Sequence, residues 1–129
     1  MKTVFDEMKE REDFYFEGIV PMKKIQMAED KLGLRFADDY KEYVAHYGTV
    51  SCSGHELTGI SCDIYLDVVY VTEKQWNNNL SVEHFLYVIE ETHIDGIVIW
   101  QSTEGVIYQT SPNAEPTKIC NSLAEYISI

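Results

Sequence analysis

Residues 21–48 restrict the fold more than any other stretch, because two helices and both of their stops can be read there. Pro21 suits a helix start, since the N–H it lacks would have no partner in a first turn. Met22, Ile25, Ala28 and Leu32 follow at gaps of 3, 3 and 4, which aligns them on one helical face. Gly33 then supplies the left-handed residue that ends a helix. Asp38 and Asp39 open a second helix, where their charge suits the dipole. Tyr40, Tyr43, Val44 and Tyr47 make its apolar stripe, and Gly48 ends it. The pattern predicts a helical hairpin that buries Ile25, Leu32, Tyr40, Val44 and Tyr47.

After Gly48 the character changes. Residues 55–60, 86–91, 97–101, 106–109 and 117–119 are short β-branched or aromatic runs. Asp95-Gly96 and Glu104-Gly105 separate three of them as hairpin turns would, which predicts an antiparallel meander. Residues 66–76 fit two patterns. Val68, Val69 and Val71 favour a strand, whereas Leu66, Val69, Tyr70 and Trp76 share a helical face after a cap at Asp67. Ser122 and Glu125 have capping-box spacing ahead of Leu123, Tyr126 and Ile127, which predicts a closing helix. Residues 3–10 read as a short polar helix, and Phe14-Tyr15-Phe16 as an irregular aromatic stretch packed across the core. The fold class is α+β: an antiparallel sheet packed against helices on one side, with an N-terminal helical hairpin and a C-terminal helix. A length of 129 residues suits one domain, and 9 Tyr, 5 Phe and 2 Trp suffice for its core.

Charge excludes some partners and favours others. Residues 1–49 hold 11 acids and 8 bases, whereas residues 50–129 hold 11 acids and only Lys74 and Lys118 as bases. The second part is therefore at −9 of a total −12. Nucleic-acid binding needs a basic face to displace phosphate counterions, and anionic membranes repel such a chain. A basic protein would be attracted, although acidity also serves solubility alone. No apolar run approaches the length of a membrane span. The acidic turn at Asp6-Glu7, where a signal peptide would become apolar, argues against secretion. Three cysteines without a C-x-x-C pair fit a reducing compartment, so the expected location is the cytoplasm.

Few residues suggest chemistry. His55-Glu56-Leu57-Thr58-Gly59 begins like a zinc-protease helix but lacks the second His and lies in a strand-like run. Cys52, His55 and Cys62 lack the two tight pairs of a structural zinc site. His93 and Asp95 read as parts of a solvated turn, and Trp100 as core. Nucleophile-elbow and nucleotide-binding signatures are missing. These residues supply no catalytic, metal or cofactor site.

One segment resembles a known family. Ile25-Gln26-Met27-Ala28-Glu29-Asp30-Lys31-Leu32-Gly33-Leu34 is followed by Asp38-Asp39-Tyr40-Lys41-Glu42-Tyr43-Val44 and then Tyr47-Gly48. This resembles the opening signature of the SUKH superfamily, bacterial immunity proteins related to a yeast regulator of cell-wall assembly. Glu56-Leu57-Thr58-Gly59-Ile60 is similar to the family's first-strand motif. Asp67-Val68-Val69 resembles the start of its next helix, and Ser122-Leu123-Ala124-Glu125-Tyr126-Ile127 its closing helix. Ala37 departs from the pattern, which usually has Pro there. The resemblance implies one such domain over 1–129 and a helix over 66–76. It implies no enzyme but a cytoplasmic immunity protein that neutralises a cognate polymorphic toxin, often a nuclease. The alternative is a scaffold or regulatory binding module with no toxin partner. Taken with the charge asymmetry, the expected contact surface is Asp63, Asp67, Glu73, Glu90, Glu91, Asp95 and Glu104, with Trp76 and Tyr65 as apolar anchors for a basic partner.

Overall fold

The computed structural model describes Phe5 and residues 9–128, so the helix expected over 3–10 falls largely outside the described residues. Helix α1 spans Met22–Leu32 and α2 Asp38–Tyr47. Gly33 ends α1 at φ +70, its N–H donating back to the Glu29 and Asp30 carbonyls. Ile25, Leu32, Tyr40, Val44 and Tyr47 are all buried, as the hairpin pattern requires. Met22, in the same apolar stripe, is half exposed because it lies in the first turn, ahead of the packed face.

The strands of the described residues form two antiparallel sheets. The first is β1 (Tyr15–Phe16), β2 (Val50–Cys52) and β3 (His55–Glu56), in that order. The second is the expected meander of β4 (Tyr87–Glu91), β5 (Val98–Gln101), β6 (Ile107–Thr110) and β7 (Thr117–Cys120). Beyond β3 the chain continues alongside β4. Leu57 bridges Glu90, and the Thr58 N–H donates to the Ile89 carbonyl at 2.9 Å. Strand β1 corrects one expectation. Phe14 packs against the core, but pairing with β2 turns Tyr15 outward to 69% exposure and leaves Phe16 at the sheet margin, 55% exposed.

Residues 66–76 resolve as a short 3-10 turn, Ile64–Leu66, and helix α3, Val68–Asn78. The Asp67 carboxylate caps α3 by accepting from the Tyr70 N–H at 3.4 Å. The buried face is Val68, Val71, Thr72 and Trp76, rotated from the expected one; Tyr70 faces solvent. Helix α4, Leu123–Ser128, closes the chain, and the Ser122 hydroxyl accepts from the Glu125 N–H at 3.1 Å.

Polar side chains tie the layers together. Ala37 donates its N–H to the Tyr87 hydroxyl at 2.9 Å, and that hydroxyl donates to Gln101 at 2.7 Å. Gln101 donates to Asp39, whose other oxygen accepts from the Leu123 N–H. Strands β4 and β5 and the starts of α2 and α4 are thus joined. The residue before α2 serves this network through an N–H that a proline would lack. Tyr40 and Tyr43 both bond to Thr58, and burial pushes their hydroxyls well up from the ordinary phenol value.

Candidate functional site

The expected contact residues separate into three groups. Asp63, Tyr65, Asp67 and Glu73 gather around the start and outer face of α3. Asp63 and Asp67 each cap the turn that follows them, Tyr65 is 64% exposed and Glu73 is exposed. Tyr65 and Tyr70 meet edge to face at 6.1 Å. Lys74, one turn on from Tyr70, lies 5.8 Å over its ring and pairs with Glu91 at 2.9 Å. Glu91 is thereby joined to α3, and Gln75 also donates to it. Asp95 is exposed in the loop that follows β4.

Glu104 stands apart, on the β5–β6 turn at the opposite end of the meander from Asp95. Glu90 and Trp76 are corrections. Trp76 is 8% exposed, stacks on His84 at 4.0 Å and donates its indole N–H to the Leu86 carbonyl, so it is a core residue. Glu90 is 4% exposed. A β-bulge between Val88 and Glu90 shifts the pairing, so that Glu90 lies opposite Ile99 rather than continuing the alternation. This turns its carboxylate inward.

The Glu90 carboxylate accepts from three directions. His55 Nδ1 donates at 2.9 Å, the Glu56 N–H at 2.6 Å, and the Tyr126 hydroxyl makes a short bond. The His55 and Tyr126 rings also meet edge to face at 5.1 Å. Glu90 holds the His55 pKa above its ordinary value by stabilising the protonated ring; partial burial opposes this more weakly. A carboxylate–imidazole pair is an element of acid–base sites; here the carboxylate is buried and accepts from His55, Glu56 and Tyr126. Its hydrogen bonds join β3, β4 and α4, which is the work of a structural strut. Among the described residues, no three His, Cys, Asp or Glu side chains are grouped to hold a metal ion.

A cleft of about 310 Å³ opens where the C-terminal end of α3 meets the β4–β5 and β6–β7 loops. Gln75, Asn78, Glu91, His93, Thr110 and Asn113 line it. Both loops are sharply turned, with His93, Asp95 and Asn113 at φ near +60. Gly96 lies so close to Pro112 that a Cβ would come within 2.8 Å of its ring. The cleft is thus a preformed polar feature adjoining the acidic face of α3. Sequence reasoning named Glu91 as a contact residue and read His93 as part of a solvated turn, but did not single out Asn113.

The architecture is an α+β domain that exposes acids and tyrosines around the start of α3. The family model SUKH_6, described as SMI1-KNR4 cell-wall, matches residues 22–127, and the chain belongs to this SUKH family. No curated protein matches the chain. Among the described residues no helix is long and apolar enough to cross a membrane.

Proposed function

We propose that this protein is a cytoplasmic immunity protein that binds and neutralises a cognate toxin through the acidic surface along α3. The observation that carries the reading is membership of the SUKH family combined with a net −9 over residues 50–129. A toxin that acts on nucleic acid is basic around its active site, because it must hold phosphates there. An acidic protein can cover that site, with charge speeding encounter more than deepening affinity. Asp63, Glu73 and Asp95 are exposed and take part in no ion pair among the described residues, so they are the acids to which a basic partner brings most. Tyr65 supplies apolar area beside them.

The test is co-expression with the toxin encoded beside this gene. The expected result is restored growth and co-purification of the two proteins. Unrelieved toxicity with no complex would overturn the reading, and capture of a cellular protein without any effect on toxin survival would replace it with a regulatory scaffold.

A further inference from the structure

The outward-turned Tyr15 and, at the sheet margin, Phe16 border a feature that the acidic face of α3 does not include. A groove of about 180 Å³ runs over the three-stranded sheet, walled by Tyr15, Phe16 and Leu66 with Glu17 and Glu56 at its margin. Tyr15 pairs with Ser51, and Ser51 with Glu56, so the three form one row on the solvent face of the sheet. We propose that this groove seats a lysine or arginine side chain presented by a protein partner. The inference rests on the basic partner proposed above and assigns it a point of anchorage.

Three observations support one occupant. The volume is below that of small-molecule sites, which begin at roughly 300 Å³, and suits a single side chain. The walls are apolar and aromatic while the margin is anionic, and lysine and arginine combine an apolar stem with a cationic head. A cation over the Tyr15 face also gains from the ring quadrupole. Finally, the carboxylates are unmatched by cations: among the described residues neither Glu17 nor Glu56 is in an ion pair. Glu17 is oriented by the Thr49 and Ser61 hydroxyls, both donating at 2.7 Å, so its charge is held in place at the groove. Arg11, the cation nearest in sequence to β1, is held at the hairpin tip by the Ser53 hydroxyl instead.

The experiment is an NMR titration of the whole protein with a capped Gly-Gly-Arg-Gly-Gly peptide, with its citrulline counterpart as the neutral isostere. The expected result is saturable shifts of the Ser51, Glu56 and Leu66 amides with the arginine peptide and none with citrulline. Glu56→Gln should weaken binding at least about threefold, the size of one exposed charge interaction. Shifts scattered over all the acids, or equal shifts with both peptides, would overturn the proposal. A second arm tests the Tyr15→Ala, Glu56→Gln double variant for co-purification with the neighbouring toxin. If wild type and variant retain the toxin equally, the groove assignment fails and the proposed function stands. If even wild type retains none, the proposed function fails and the peptide titration alone decides the groove.

Discussion

The His55–Glu90 pair makes the clearest prediction at the scale of single residues. Glu90 raises the His55 pKa in the folded protein, so protonated His55 stabilises the fold. That contribution is complete below the ordinary imidazole value of 6.5 and is lost as pH rises through the higher folded value. Thermal midpoints measured from about pH 6 to about pH 8 should therefore fall more for wild type than for His55→Gln. Parallel pH profiles would show that His55 is not coupled to the fold. Gly59 gives a second test. A Cβ there would lie 1.6 Å from the Gly48 carbonyl oxygen, a backbone atom fixed at the end of α2. Gly59→Ala should cost at least about 3 kcal/mol in chemical denaturation, because neither chain can retreat without breaking its own packing. A loss under about 0.5 kcal/mol, typical of surface changes, would mean that the two segments are not in close approach.

Among the elements, the α1–α2 hairpin is where local pattern and tertiary packing agree. Leu32 is buried at the last turn of α1, so Leu32→Ala should cost about 2–5 kcal/mol through lost burial and the cavity left behind. Equilibrium unfolding in urea would measure it; a change of a few tenths would place that face in solvent. The hairpin was legible because the spacings 22, 25, 28, 32 and the glycine stops report helix geometry directly. The meander was legible for a similar reason, since its turns at Asp95-Gly96 and Glu104-Gly105 need left-handed residues: φ is +54 at Asp95, +71 at Gly96 and +96 at Gly105. The residues of α3 were not, because a valine-rich run satisfies both periods. The Asp67 cap and the space beneath Val68, Val71 and Trp76 select the helix.

For the whole molecule, the uneven charge predicts salt-dependent association. Glu73→Lys combined with Asp95→Asn keeps a side chain tolerant of the left-handed backbone at position 95 while removing negative charge near α3. Association with the cognate toxin, followed by stopped flow, should slow by roughly three- to tenfold and depend less on ionic strength. Glu104→Lys, at the other end of the meander, should have a smaller effect. Equal slowing by both variants would mean that total charge, not the α3 surface, steers the encounter.

What the sequence determined by itself was local: helix faces, caps, turns, the α+β order of elements and the charge asymmetry, each fixed by residues a few positions apart. The tertiary structure alone decided which acids reach solvent. Glu90 reads as one of several carboxylates in a turn-proximal run, but a bulge at Ile89 points it at His55 and Tyr126, residues 35 and 36 positions away. Trp76, flanked by Gln75 and Asn77, is offered by the sequence as an apolar anchor for a partner, yet its indole N–H finds the Leu86 carbonyl inside the core. Tyr15 reads as core, yet pairing with Ser51 turns it out to form the wall of a groove. Composition supplies the charges and rings, but the facing of each depends on strand register and bulges, which arise only when distant segments pair.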